Sequence, residues 1–180
     1  SLRKELDETL QQLDDDFYFI ADCNLGGEYM ADEIVDRVKQ IGGRTWSRTI
    51  DDRVGIANDE LRRKEREVAR ELPSVEPLLS DRIDHLIEHD VVTHSADRKN
   101  PHGFRFDVPE YKYNHGEIYN LCISRGTLTK EERFKINDHI VQTIVMLEAL
   151  PFPKHLERVP EIAGGHHEKM DGTGYPKKLR

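Results

Sequence analysis

The apolar residues at the start of the chain fall at Leu2, Leu6, Leu10, Leu13, Phe17 and Ile20, spaced four, four, three, four and three. That repeat belongs to an amphipathic helix with a coiled-coil-like seam. Residues 1–22 are therefore expected to form a linker or signalling helix; packing on their own domain is an equally good reading. The Asn-Leu-Gly-Gly turn from Asn24 to Gly27 ends it. A second helix is expected from about Ala31 to Ile41, with Ile34, Val35, Val38 and Ile41 on one face and Gly42-Gly43 after it. Trp46 to Ala57 shows no clear period.

Asn58 is placed to cap a third helix, whose Leu61, Val68 and Leu72 are sparse among charged residues. Pro73 and Pro77 separate it from a fourth, capped by Ser80 and carrying Ile83, Leu86 and Ile87. From Val91 to Lys112 the composition turns to His, Asn, Gly, Pro and charge, which predicts loop rather than core. Thr129 and Glu132 then have capping-box spacing. A fifth helix follows from about Lys130 to Leu150, with Ile136, Ile140, Ile144 and Leu147 on its apolar face and Pro151 as its stop. After a turn, a short helix from about Glu161 is expected to place His166 and His167 near its C-terminal end. No stretch alternates with period two, so the expected class is all-α.

Composition narrows the function. The 180-residue chain carries a formal charge of −8, which argues against broad binding to DNA or RNA, since that needs a basic footprint. Cys23 and Cys122 have no CxxC spacing, so neither a disulfide framework nor a thiolate zinc site is indicated. No apolar run approaches a membrane span. A soluble cytoplasmic protein is the expectation. The chain begins at Ser1 and stops at Arg180 directly after its densest motif, so it reads as a piece of a longer protein.

The chemistry concentrates in Gly164 to Pro176, GGHHEKMDGTGYP. Imidazoles suit Fe, Mn and Zn. On a helix, His166 and His167 would point about 100° apart, suiting two metals side by side, or one metal and a substrate phosphate, better than one shared ion. Glu168 can act as ligand, as orienter of a ligand, or as partner of a neighbouring basic residue. Asp171 opens a glycine loop, where an Asx turn explains it equally well. His139 follows Ile136 by three and precedes Ile140, so it should lie beside the apolar stripe and aim into the bundle. Lys169, Lys177, Lys178 and Arg180 offer positive charge for a phosphate.

The run His166-His167-Glu168-x-x-Asp171-Gly172-x-Gly174-Tyr175-Pro176 resembles the HHExxDGxGYP signature of the HD-GYP family, a branch of the HD-domain metal phosphohydrolases. Gly126 to Thr129 (GTLT), the capped helix after it and His139 are similar to the family too. The resemblance implies an HD-domain-like helical bundle holding two or three metals, commonly iron or manganese. It further implies a bacterial signalling output domain that hydrolyses cyclic di-GMP with a metal-activated water. His139, His166 and His167 would be metal ligands. Glu168, Asp171, Gly172, Gly174, Tyr175 and Pro176 would form a substrate or partner loop.

Two departures stand beside it. The family's His-Asp doublet is missing from Pro101 to Ile118; His89-Asp90, His102, Asp107 and His115 are replacement candidates without a motif. Family members also continue past the GYP motif to a further aspartate ligand and closing helices. By resemblance, then, residues 113–180 are the HD-GYP-like part, and residues 23–112 a divergent N-terminal part of the helical domain. A bundle lacking its last helices should expose apolar surface and form homo-oligomers. Two functions stay open for the parent protein: a metal-dependent phosphodiesterase, or a silent relative that binds a cyclic dinucleotide or a signalling protein. A purely structural motif is the third reading, and for the 180-residue chain alone silence is expected.

Overall fold

Helix α1 (Leu2–Leu25) runs to Leu25, past residue 22 where the sequence expectation ended it. This computed structural model describes residues 1–90 and 100–179. The chain divides into two units, residues 1–87 with 113–129 and residues 88–112 with 130–180.

In the first unit, α1 is followed by strand β1 (Gly27–Tyr29), helix α2 (Asp32–Gly42), strand β2 (Thr45–Arg48), helix α3 (Asn58–Lys64) and strand β3 (Ser74–Pro77). A 3-10 turn (Ile83–His85), strand β4 (Leu86–Ile87), strand β5 (Tyr113–Asn114), helix α4 (Glu117–Leu121) and strand β6 (Arg125–Gly126) complete it. The strands form three antiparallel pairs, β1 with β6, β2 with β3 and β4 with β5. The all-α expectation is thus corrected by short strands on a mainly helical frame.

Polarity hid these strands. In β3 the inward residues are Ser74 and Glu76, and Arg48 of β2 donates from Nε and Nη2 to Glu76 Oε1 at 2.8 and 2.6 Å. The alternation exists, with polar side chains inside, so an apolar period of two never appears. Trp46 to Arg48, expected to lack a period, lies in β2 paired with Ser74 to Glu76.

Two helices also differ. Asn58 is the first helical residue of α3 rather than its cap, which is Ala57, and α3 stops at Lys64, leaving Val68 93% exposed outside it. The fourth expected helix is only the 3-10 turn and β4, because Leu86 and Ile87 pair with Asn114 and Tyr113.

Few apolar side chains are buried in this unit, namely Val38, Ile41 and Leu121. An ionic cluster supplements them. Lys64 Nζ lies 2.9 Å from Asp52 Oδ2 and 3.2 Å from Asp84 Oδ2, and Arg82 contacts the same two carboxylates at 2.9 Å each. Burial alone would raise the Asp52 pKa, but hydrogen bonds from Lys64 and Arg82 hold it well below the usual carboxylate range. Asp84 is likewise desolvated, and the Arg82 charge with the Lys64 hydrogen bond brings it down.

The second unit holds helices α5 (Lys130–Asn137), α6 (His139–Glu148) and α7 (Val159–Gly164), with a 3-10 turn at Lys154–Leu156. The single helix expected over Lys130 to Leu150 is therefore two, broken at Asp138. Its apolar face is only partly buried: Ile140 and Ile144 are, while Ile136 is exposed. They pack with Val141 and Phe104, and Phe106, Val145 and Tyr175 lie against that core. Residues 100–112 are without helix or strand, as expected for loop, but Phe104 corrects the expectation that the stretch from Val91 to Lys112 stays out of the core; residues 91–99 lie outside the described ones. Among the described residues no helix is long and apolar enough to cross a membrane.

Candidate metal centre

The break at Asp138 and the end of α7 both position histidines. The last carbonyls of a helix have no intrahelical partner, and two histidines take up such groups from three residues downstream. His139 Nδ1 bonds the Ile136 carbonyl, and His166 Nδ1 bonds the Ala163 carbonyl at 2.6 Å. A carbonyl only accepts, so each Nδ1 is the donor, which in the neutral ring leaves Nε2 as the nitrogen with a lone pair for a metal. Backbone partners of this kind orient metal-binding imidazoles.

His167 joins them from the same turn. Its Nε2 is buried without a hydrogen-bond partner among the described residues. Burial, and then the neighbouring His166 and His139, push its pKa down and favour the neutral ring. Its ring centroid lies 3.9 Å from that of His166 and 5.4 Å from that of His139. One ring nitrogen from each of the three falls within 4.8 Å of the others. Nitrogens around a single ion with bonds of about 2.1 Å stand roughly 3.4 Å apart, so small ring rotations would close the set. The three residues fit a divalent metal.

This geometry revises two expectations. His166 and His167 follow α7 instead of lying within it, so helical spacing does not separate them and their rings sit in one cluster. His139 is exposed rather than aimed into the core; the inward positions belong to its neighbours Asp138 and Ile140.

The GYP loop forms one wall. Tyr175 stacks on His167 with ring centroids 4.6 Å apart and planes at 15°, and its other contacts reach Phe106. Gly172 has a φ of +75°, open to glycine. A Cβ on Gly174 would lie 2.3 Å from the Lys169 backbone nitrogen and 2.5 Å from Glu168 Cα, so only glycine permits this approach. Pro176 is buried, and its carbonyl accepts from the Arg105 amide at 2.8 Å.

Glu168 anchors the loop. Oε1 accepts from the Lys177 amide at 2.6 Å and Oε2 from the Leu179 amide at 3.0 Å. These contacts are to backbone amides, and none of the three roles read from the sequence (ligand, orienter of a ligand, partner of a basic residue) named them. Asp171 makes the Asx turn, its Oδ1 accepting from the Thr173 amide at 2.9 Å and from the Thr173 hydroxyl at 2.7 Å.

Of the basic residues, Lys169 is exposed, while Lys177 and Lys178 line a recess with Arg105 and Gly172. Lys178 pairs with Asp107 at 3.2 Å. Arg105 is the residue sequence reasoning missed, since it stands far from the motif; Arg180 lies outside the described residues.

The replacement candidates for the His-Asp doublet are engaged elsewhere. His89 Nε2 bonds the Pro109 carbonyl at 3.0 Å, Asp90 pairs with Lys112, and His102 Nδ1 meets Glu148 Oε2 at 2.5 Å. His115 stacks on Tyr113 in the first unit. Among the described residues no carboxylate joins the three-imidazole cluster.

Comparison with known proteins agrees with the motif at the level of the domain. Residues 73–180, more than half the chain, match the family model described as HD domain. No curated protein matches the chain, and no solved structure does.

Proposed function

The chain belongs to the HD-domain family of metal-dependent phosphohydrolases, and from that premise we propose that it is a signalling module acting on a cyclic dinucleotide, with cyclic di-GMP as the substrate in the intact protein. His139, His166 and His167 would hold a divalent metal, iron or manganese, through one nitrogen each. The observation that carries this reading is the convergence of three imidazole nitrogens within 4.8 Å, two of them with Nε2 left free by Nδ1 bonds to backbone carbonyls.

A bound metal supplies charge neutralisation at a phosphoryl oxygen and lowers the pKa of water. The chain's own residues do the rest. Tyr175 stacked on His167 fixes that ring and shields one face of it. Glu168 holds the Lys177 and Leu179 backbone so that the loop keeps its shape. Lys177 and Arg105, which line one recess with Gly172 of the GYP loop, give phosphate oxygens a positive lining within an acidic protein.

One observation favours a second reading, in which the module binds the dinucleotide or a protein partner without hydrolysing it. Glu168 uses both oxygens on backbone amides, and among the described residues no carboxylate joins the three-histidine cluster. The test is incubation of the manganese- or iron-loaded protein with cyclic di-GMP, followed chromatographically, beside equilibrium binding. Linear dinucleotide that disappears with His166→Ala supports hydrolysis. Binding without turnover supports the second reading, and a protein that neither binds nor turns over the dinucleotide overturns the first reading and the dinucleotide form of the second.

A further inference from the structure

The N-terminal helix carries a surface that the metal site does not use. Every residue from Ser1 to Asp15 is exposed, including Leu2, Leu6, Leu10 and Leu13, and Phe17 beyond them is 70% exposed. Only the last turns of α1 are anchored to the first unit. Asp16 is buried against Arg44 at 2.6 Å and Arg37 at 3.7 Å, and the Arg37 guanidinium lies 4.0 Å over the Phe19 ring. A helix of about four turns with nothing packed on it is marginal in water. The open turns carry their leucines in one row, the pattern of a helix that pairs.

The spacing fixes a heptad register. With Leu10 and Phe17 at a, the d positions are Leu6, Leu13 and Ile20, the e positions Asp7, Asp14 and Ala21, and the g positions Leu2, Thr9 and Asp16. The flanking charges then discriminate between partners. Two such helices side by side in parallel bring g against the e position five residues on, giving Leu2 with Asp7, Thr9 with Asp14 and Asp16 with Ala21, with no like-charged pair. An antiparallel pair centred on Leu10 and Leu13 brings e against e and sets Asp7 against Asp14 twice. Arg3, at the first a position, would meet its own counterpart as a like charge, so the parallel seam starts beyond it, at Leu6.

We propose that this face of α1 is a homodimer interface, in which two copies of the chain pair in parallel and in register from Leu6 to Phe17. Asp16 already answers to Arg37 and Arg44 of its own chain, so it stays out of the seam. The exposed Leu, Leu, Leu and Phe side chains supply the contact.

Light scattering and sedimentation of the whole chain over a concentration series test this. A reversible dimer is expected. Leu10→Glu with Leu13→Glu should weaken it by about a hundredfold or more, since the apolar a and d residues are the knobs that pack into the other helix. That double change also endangers the helix, so a second pair of variants at exposed Thr9 separates pairing from folding. Thr9→Glu, a better helix former, opposes Asp14 of the other copy and weakens the dimer by about two- to fivefold, while Thr9→Lys tightens it by a similar factor.

Orientation is read in a Cys23→Ser/Cys122→Ser background, where Leu13→Cys should form a disulfide with its own copy. A monomer at every concentration overturns the proposal. So does a dimer indifferent to both Thr9 variants, or one in which only a mixture of the Leu10→Cys and Leu13→Cys chains crosslinks.

Discussion

Tyr175 lies face to face with His167, ring centroids 4.6 Å apart and planes at 15°, so the aromatic of the GYP motif serves as a wall for one histidine of the cluster. The contact explains why the motif places an aromatic eight positions after the second histidine: the Tyr175 amide also donates to the His167 carbonyl at 3.2 Å. Loop and imidazole are fixed to one another through backbone and ring together. Tyr175→Phe keeps the stack and should leave metal affinity within about twofold. Tyr175→Ala removes a half-buried ring from the core edge, costing about 2 kcal/mol of stability and about tenfold in metal affinity, by calorimetric titration.

Gly174 sets a second expectation. Its missing Cβ is where the Glu168 and Lys169 backbone passes, and backbone cannot move aside as a flexible side chain can. Gly174→Ala should cost about 3 kcal/mol in urea unfolding of the second unit. Gly27→Ala, where a Cβ meets nothing within 4 Å, is the control.

Bracing and ligation by Glu168 are distinguishable. Both of its oxygens hold backbone amides, and Glu168→Gln keeps one acceptor and loses the other. Stability should fall by about 1–2 kcal/mol, and cleavage by trypsin after Lys177 should quicken. Metal stoichiometry should stay that of the unsubstituted protein; a stoichiometry lowered by Glu168→Gln would make Glu168 a ligand.

The ionic cluster of the first unit predicts a pH dependence. Asp52 and Asp84 have folded pKa values below their unfolded ones. Their contribution is therefore complete above the unfolded carboxylate pKa of about 3.9 and is lost as pH falls through the lower folded values. Urea midpoints should be level from pH 7 to about pH 5 and decline below about pH 4. Asp84→Asn leaves Lys64 and Arg82 short of a buried partner and should cost about 3 kcal/mol at neutral pH.

What was legible in the sequence follows from where its signals were apolar. The α1 seam, the face of α2 at Val38 and Ile41, and the stripe at Ile140 and Ile144 follow the spacing of their hydrophobic residues, and the helices stand there. The β2 and β3 pair did not show because Arg48, Ser74 and Glu76 point inward. The break at Asp138 was masked by flanking residues with good helical pattern on both sides. The histidine cluster was legible through its motif, whereas the bracing role of Glu168 was not. That role depends on amides nine and eleven residues on, which no local spacing encodes.

Metal uptake by the histidines tests the central claim most directly. The purified protein, stripped of metal and titrated anaerobically with Fe²⁺ and with Mn²⁺, is expected to bind at least one ion per chain. His139→Ala, His166→Ala and His167→Ala should each abolish that uptake while thermal unfolding still shows a folded protein. A folded chain that takes up neither ion, or His variants that bind as much as the unsubstituted protein, would contradict it.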